Sequence, residues 1–279
     1  MLRDAERFAD LAGPWMAADP YSTNVIGARL AIACAGDQPR GEDDIWVAVF
    51  EGSEIAGVAM HTPPHNLFLP RLKSGIAAGI ADALATSLRR FSGVTGEVAT
   101  VDEFVRTWAG QTGVVSRLDY AMRMYRLDVV IPPQSVPGQP RPAGPRDRAL
   151  LMEWLAEFHV EATPDNPAED VAVVVERRLA HSETWLWCVD GTPVSLAGCT
   201  QAVAGLARIG PVYTPLGHRR QGYGAAVSAH ATQAALDAGA VQVVLYADLA
   251  NPTSNAIYQN IGYLPDHDAE ERSFVQGTE

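Results

Sequence analysis

The sequence predicts an α/β fold of two tandem domains, and three features support this prediction. Helix-like and strand-like patterns alternate along the 279 residues. A Pro- and Gly-rich stretch, "IPPQSVPGQPRPAGPRD" at residues 131–147, divides the chain into halves of ordinary domain size. The same order of elements recurs in each half, as expected after an ancient duplication. We therefore place one domain at residues 1–130, a linker at 131–146 and a second domain at 147–279.

The elements of the second half follow from their residue patterns. "RDRALLMEWLAEFHVEA" has apolar residues at helical spacing after Asp147, and "PAEDVAVVVERRLAHS" is a second helix. "TWLWCVDGTPVSLAGCTQAV" holds two strands around Asp190-Gly191, a hairpin signal, and "LARIGPVYTP" is a third strand. A helix that ends at Gly239, the apolar strand "VQVVLYA" and the helix "NPTSNAIYQNIGYLP" follow. The predicted order is ααβββαβαβ.

The first half shows a similar order. "IWVAVFEGSEIAGVAMHTP" predicts a strand pair, "GIAAGIADALATSLRRF" a helix and "VTGEVAT" a strand. "VDEFVRTWAGQTG" predicts a further helix, and "LDYAMRMYRLDVV" a long strand. The second half has "RRQGYG" before its third helix, and at the equivalent position this half has "RLKSGIAAGI", which keeps glycines in a different pattern.

Composition and charge narrow the class of protein. Hydrophobic residues make up 47% of the chain and charged residues 19%, which is ordinary for a globular domain. No apolar run is long enough to span a bilayer, and "MLRDAERFAD" lacks the apolar core of a signal peptide. We therefore expect a cytoplasmic protein without a membrane partner. The formal net charge of -12 disfavours nucleic acid as a partner and mildly favours cationic small molecules.

The three cysteines predict no disulfide framework and no metal site. Cys34, Cys188 and Cys199 are odd in number and lack CxxC spacing. Cys188 and Cys199 lie in apolar, strand-like stretches, which is typical of thiols in a hydrophobic core.

The stretch "YTPLGHRRQGYGAAV" predicts an anion site. A strand ends, a short loop with two glycines follows, and a helix begins there. The first N–H groups of a helix have no intrahelical acceptor, and the helix dipole adds positive potential at that end. Glycines let a phosphate approach without a Cβ in the way, while Arg219 and Arg220 supply positive charge at the rim.

Together with the segments around it, this stretch resembles the GCN5-related N-acetyltransferase (GNAT) family. The Q/R-x-x-G-x-G/A motif of the family matches a run of six residues, and "NPTSNAIYQNIGY" matches the next motif, in which a Tyr follows an Asn by seven residues. The resemblance extends in order from Asp147 to about Val275. The six residues of the first motif are Arg219, Arg220, Gln221, Gly222, Tyr223 and Gly224.

The resemblance implies a fold, a cosubstrate and a set of binding residues. Each domain would have a mixed, mostly antiparallel twisted sheet flanked by helices. Backbone N–H groups of residues 219–225, including Ala225, would surround the pyrophosphate of acetyl-coenzyme A. Pro211, Val212 and Tyr213 would pair with the pantetheine arm and polarise the thioester carbonyl, and Asn251 would hydrogen-bond the same arm in addition to capping its helix. No metal is implied.

The resemblance also implies a general acid but does not identify a base. Tyr258 would protonate the departing thiolate, although packing alone also explains a Tyr there. Many relatives carry a Glu on one of two strands, and here only Asp248 is acidic, with Tyr246 where that Glu often stands. Other base candidates near the expected acceptor pocket are Glu157, His159 and Glu161, while His230 is expected to be structural.

The leading hypothesis is an acetyl-coenzyme A-dependent N-acetyltransferase in which the primary amine of a small molecule attacks directly. A non-catalytic module that senses acyl-coenzyme A and a protein N-terminal or lysine acetyltransferase remain alternatives. The first domain resembles an eroded copy that packs against the second, as in tandem members such as mycothiol synthase-like enzymes. The resemblance is also compatible with a homodimer.

Overall fold

A computed structural model describes residues 1–36, 41, 43–87, 91–162 and 170–276. The chain divides into two compact units. The first contains Met1–Met122 and His267–Glu279, and the second contains Arg123–Asp266. This division differs from the boundaries expected from the Pro-rich stretch, because the last segment of the chain falls with the first unit rather than the second.

Among its described residues the first unit contains four helices and four complete strands, and it shares two further strands with the second unit. Both α1 and α2 were missed in the sequence, as was the short strand β3. The remaining elements lie where the sequence predicts them, although residues 88–90 at the predicted end of α3 are outside the described residues. The elements in chain order are α1 Ala5–Ala18, α2 Pro20–Ala35, β1 Ile45–Glu51, β2 Glu54–His61, β3 Leu67–Leu69, α3 Ile76–Thr86, β4 Gly93–Glu97, α4 Val98–Thr112 and β5 Val114–Leu127.

The second unit has the predicted order ααβββαβαβ, preceded by one short strand. Residues 163–169, which include the predicted start of α6, are outside the described residues. Short 3₁₀ turns precede α5 and α7. The elements are β6 Gln139–Pro142, α5 Arg148–Ala162, α6 Val171–Ala180, β7 Thr184–Val189, β8 Thr192–Cys199, β9 Leu206–Tyr213, α7 Tyr223–Asp237, β10 Gln242–Asp248, α8 Pro252–Asn260 and β11 Tyr263–Gln276.

Each unit has a mixed, mostly antiparallel sheet, as the resemblance implies. In the first unit the strand order is β1-β2-β3-β4-β11-β5, with β3 and β4 parallel. In the second it is β5-β10-β9-β8-β7-β6, with β9 and β10 parallel. The long strands β5 and β11 contribute residues to both units.

The hairpin predicted at Asp190-Gly191 is confirmed. Val189 pairs with Thr192, and the two residues between them have positive φ values of 49° and 81°. Such two-residue turns match the right-handed twist of the strands that they join.

Two hydrophobic clusters cover opposite faces of the second sheet. Leu196 belongs to the cluster beneath α5 and α6, while its neighbour Ala197 belongs to the cluster beneath α7 and α8. Adjacent strand residues point to opposite faces, so each face of this sheet is covered by a pair of helices. Cys188 and Cys199 are half-buried at the margins of these clusters, and burial raises the pKa of the Cys199 thiol to about 12.

The Pro- and Gly-rich stretch is an edge strand of the second unit over part of its length. Residues of β6 pair antiparallel with β7, and the indole N–H of Trp187 donates to the Pro137 carbonyl at 2.8 Å. Prolines are tolerated at an edge because one side of the strand needs no donor. Arg141 in β6 makes two hydrogen bonds of 2.7 Å to the carboxylate of Asp147, which also accepts from the Gly144 N–H.

The ion pair between Arg141 and Asp147 should stabilise the protein measurably. The Arg141 guanidinium holds the pKa of Asp147 below its ordinary value of 3.8. We expect Asp147→Asn to lower the free energy of unfolding by about 1.5–3 kcal/mol at pH 7, as for hydrogen bonds to charged groups. Because the native pKa is depressed, this stabilisation is fully present above pH 3.8 and disappears as the pH falls through the native value.

Urea denaturation of both proteins at several pH values checks this expectation. Glu176→Gln is the matched control, because its ion pair with Arg148 is more than half exposed and should contribute less than about 1 kcal/mol. Equal losses of unfolding free energy in the two variants would show that the Arg141–Asp147 pair stabilises the protein no more than an exposed ion pair does.

Candidate functional site

The loop between β9 and α7 has the geometry of an anion site. Gly222 is the N-cap of α7 with φ 84°, and no side chain caps this end of the helix. The first helical donor is the Ala226 N–H, which bonds to the Gly222 carbonyl. The N–H groups of Tyr223, Gly224 and Ala225 therefore have no acceptor within the helix. Together with the helix dipole, they form a site for a phosphate or carboxylate.

The left-handed conformation explains why glycine occupies position 222. Arg220 also has a positive φ of 63°, and backbone in alternating conformations of this kind forms a concave arrangement of N–H groups. A Cβ at Gly222 would in addition lie 3.0 Å from a methyl group of Val136, whereas a Cβ at Gly224 would meet only the Thr214 hydroxyl at 3.4 Å. Conformation is thus the stronger reason for Gly222.

The other side chains of the predicted motif have different surroundings. The Arg220 side chain is exposed and makes no hydrogen bond or ion pair with any described residue. The Tyr223 ring is buried, and its hydroxyl donates to the Gln221 side chain at 2.9 Å. Of the two arginines that the sequence places at the rim, only Arg220 is therefore available to a ligand without breaking an existing contact.

The strands β9 and β10 separate next to this loop. Their parallel pairing ends at Ile209 and Leu245, although both strands continue to Tyr213 and Asp248. On its other edge β9 still pairs with β8 as far as Tyr213. One backbone edge of residues 210–213 therefore has no strand partner on the β10 side, so an extended chain could pair with it there.

The three predicted strand residues differ in what they can offer to such a chain. Pro211 has no N–H and can supply only a carbonyl. The Tyr213 carbonyl accepts a hydrogen bond from Ser195 on β8 and so faces that strand. Because successive strand residues direct their backbone groups to alternate edges, the N–H of Val212 faces the open edge. Val212 is therefore the donor that this geometry favours.

Tyr258 of α8 is buried in the same hydrophobic cluster as Ile209 and Leu245. Its ring meets Tyr263 edge-on at 6.3 Å, and its hydroxyl makes no hydrogen bond to any residue that the structure describes. Burial raises the pKa of Tyr258 to about 12. The phenol therefore stays protonated over the whole neutral and mildly alkaline range.

Asp248 and Asn251 form the turn that leads into α8. One carboxylate oxygen of Asp248 accepts from the Ala250 N–H at 2.7 Å, and the Asn251 side chain caps the helix by accepting from Ser254 at 3.0 Å. Both contacts explain these residues structurally, and their expected roles toward a cosubstrate stay predictions. The second carboxylate oxygen of Asp248 makes no hydrogen bond within the described chain.

Two carboxylates of α5 meet the Tyr213 hydroxyl, a cluster that sequence patterns did not reveal. Tyr213 donates to Glu157 at 2.8 Å and lies 3.3 Å from Glu161, and burial together with these acids raises its pKa to about 12. The spacing of the two glutamates places them on one helix face, whereas His159 lies on another. That spacing was visible in the sequence, but their partner was not.

His230 lies in α7 and is partly buried. Its ring meets Trp185 edge-on at 4.4 Å, and burial lowers the pKa of the imidazole. The structural role expected for this helical histidine stays a prediction.

The first unit also has a helix, α3, that begins at a glycine with positive φ, but a carboxylate of the chain binds the N–H groups at its start. Gly75 is the N-cap of α3 with φ 92°, and again no local side chain caps the helix. Here the Gly75 and Ala78 N–H groups both donate to one oxygen of Glu103 on α4, at 2.6 and 3.4 Å. A carboxylate of the chain itself therefore occupies the position that an anionic ligand would take.

Comparisons with known proteins found a family match within the second unit and several solved structures with a similar fold. Residues 148–263 match the model of the Acetyltransferase (GNAT) family. No curated protein matches the sequence significantly. A solved structure of a Drosophila protein is 13% identical with a TM-score of 0.71, and the match covers 99% of this chain and 98% of the other.

Two further solved structures share the fold at low sequence identity. The GNAT-family acetyltransferase from Colwellia psychrerythraea is 11% identical with a TM-score of 0.56, over 82% of this chain and 85% of the other. The GCN5-related N-acetyltransferase from Kribbella flavida is 20% identical with a TM-score of 0.52, over 90% and 96%. In the part of the chain that the structure describes, no helix has the length and apolar character to cross a membrane.

The contact of Glu103 with the start of α3 should protect that turn. We expect Glu103→Ala to speed amide hydrogen exchange at Gly75 and Ala78 about 5- to 30-fold, because two charge-assisted hydrogen bonds are lost. Asp82→Ala removes the same charge from an exposed position on α3, where the carboxylate accepts a hydrogen bond from Gln111, and should leave these amides unchanged. Unaltered exchange in the Glu103 variant would show that the contact does not persist in solution.

Proposed function

Because residues 148–263 form a domain of the GNAT acetyltransferase family, we propose that this protein transfers an acetyl group from acetyl-coenzyme A to a primary amine of a small molecule. The observation that carries this proposal is the uncapped start of α7 at Gly222, beside the point where β9 and β10 separate. A long ligand with a phosphate in its middle and an amide-containing arm fits this combination of an anion site and an open strand edge.

The binding roles follow from the two parts of the site. The N–H groups of Tyr223, Gly224 and Ala225 hold the pyrophosphate, and exposed Arg220 adds positive charge from the rim. The arm of the cosubstrate extends along the open edge of β9, where it pairs with backbone groups as an added strand would. Asn251 has an amide nitrogen left for the arm while its oxygen caps α8.

The chemical step needs stabilisation of negative charge and a proton for the leaving thiolate. As the amine attacks the thioester, charge develops on the carbonyl oxygen, and the Val212 N–H is the donor placed to stabilise it. The Tyr258 hydroxyl, which makes no hydrogen bond to any described residue, donates its proton to the sulfur. Asp248 accepts the proton that the amine loses, through the carboxylate oxygen that its turn leaves free.

The first unit does not bind the cosubstrate in this proposal. Glu103 fills its helix start, so one acetyl-coenzyme A binds per chain. The alternative function is a sensing module, which would bind acetyl-coenzyme A without turnover. Measuring the release of free thiol in the presence of a panel of small amines distinguishes the two, because only the enzyme releases it.

Replacing Gly222 tests the anion site. We expect Gly222→Val to weaken binding of coenzyme A about 10-fold or more in calorimetry, because a β-branched residue opposes the left-handed conformation that orients the N–H groups. Gly217→Val is the control, since Gly217 lies in the same loop, is not among the positive-φ residues, and has open space around its Cβ position. Unchanged affinity of the Gly222 variant would contradict the assignment.

Replacing Tyr258 tests the general acid. We expect Tyr258→Phe to lower kcat by about 10²- to 10⁴-fold, while the affinity for coenzyme A changes little because the ring remains. An acid must be protonated to act, so activity that depends on Tyr258 should persist until the pH approaches about 12. Any loss of kcat near pH 9 or 10 must therefore have another cause and should remain in the variant.

Tyr263→Phe is the matched control. The Tyr263 hydroxyl is 2.7 Å from the Thr232 hydroxyl, so its loss should cost about 0.5–1.5 kcal/mol of stability without changing kcat. If the Tyr258 variant behaves like this control at every pH, Tyr258 is a packing residue and the proton comes from solvent.

A further inference from the structure

The side chain of Arg219 contacts three other residues of the protein. Its Nε donates to the Thr214 carbonyl at 2.8 Å, and its Nη2 forms an ion pair of 2.5 Å with Glu161 on α5. Its guanidinium carbon lies 5.8 Å from the centre of the Tyr213 ring. A guanidinium is planar and its donors have fixed directions, so these contacts together define a single orientation of the side chain.

These contacts link three elements of the site. Thr214 follows directly after β9, Glu161 lies near the end of α5, and Arg219 begins the turn that leads to Gly222. Tyr213 joins the same group, because its hydroxyl donates to Glu157 and approaches Glu161. The backbone before the anion site is therefore held to α5 by side chains.

We propose that Arg219 is a positioning residue that holds the phosphate-binding loop against α5 through Glu161, rather than a residue that contacts phosphate. This inference rests on the proposed binding of acetyl-coenzyme A by that loop. Holding Arg219 fixes the backbone immediately before the positive φ of Arg220, and this in turn directs the N–H groups after Gly222.

The two roles of Arg219 predict opposite effects of removing Glu161. If Arg219 contacts phosphate, Glu161 competes for its charge and also repels the ligand, so its removal should tighten binding. If Arg219 positions the loop, removal of Glu161 releases the loop and should weaken binding. Removal of Glu161 also relieves its repulsion of the ligand in the positioning case, so weaker binding would show that the lost contact outweighs that gain.

Calorimetric titration with coenzyme A measures this sign. We expect Glu161→Ala to bind about 3- to 10-fold more weakly than the wild type, as for the loss of a charge-assisted contact. Glu153→Ala is the matched control, because it removes the same charge from an exposed position on α5 that makes no hydrogen bond or ion pair with a described residue, and it should bind within about 2-fold of the wild type. Unchanged or tighter binding by the Glu161 variant would overturn the proposal.

A second pair of variants examines Arg219 directly. Arg219→Lys keeps the charge but loses the planar set of donors. The positioning role therefore predicts weaker binding of coenzyme A, whereas simple charge attraction predicts almost no change in affinity. The double variant Glu161→Ala with Arg219→Ala should bind no more weakly than Arg219→Ala alone, since both residues act through one contact. Additive losses would overturn the proposal.

The result for the wild type and for Gly222→Val separates this proposal from the proposed function. If neither protein binds coenzyme A, the function and the role of Arg219 both fail. If the wild type binds, Gly222→Val weakens binding and Glu161→Ala does not, only the role of Arg219 fails.

Discussion

The separation of β9 from β10 after Ile209 and Leu245 is the constraint on which the candidate site depends. A strand buried within a sheet has both backbone edges occupied, so it can accept no ligand along its length. By ending its pairing early, β9 keeps one edge free where the anion site of α7 begins. The contrast with the first unit is direct, because β3 and β4 stay paired through Leu69 and Gly96, and a Cβ at Gly96 would lie 2.0 Å from the Leu69 carbonyl oxygen.

Local patterns in the sequence predicted much of this architecture. The order of the second unit, the Asp190-Gly191 hairpin and the helix starts at Gly222 and Asn251 each depend on a few neighbouring residues. The hydrogen bonds that define the site connect residues far apart in the chain, as Arg219 and Glu161 show. No periodicity or turn signal carries that information, so the ion pair of Arg219 with Glu161 could not be predicted from the sequence.

Other differences have equally physical causes. Prolines made residues 131–146 resemble a linker, yet Pro is compatible with an edge strand such as β6. Burial removes water from the phenolates of Tyr258 and Tyr213 and raises both pKa values above the ordinary tyrosine value of about 10, which neighbouring residues in the sequence do not reveal. The same burial supports a proton donor in Tyr258, whereas the Tyr213 hydroxyl is already committed to Glu157.

The position of β11 in the first unit determines when that unit can be completed. Between β4 and β5 lies a strand from the opposite end of the chain, and Arg272 reaches Asp102, 170 residues earlier, at 2.5 Å. During synthesis the amino-terminal elements emerge first, but they lack an interior strand until β11, Tyr263–Gln276, has been made. The second unit has all of its helices and nearly all of its sheet before that moment. The half that is made first is therefore the half that folds to completion last, and β4 presents an unpaired edge in the interval.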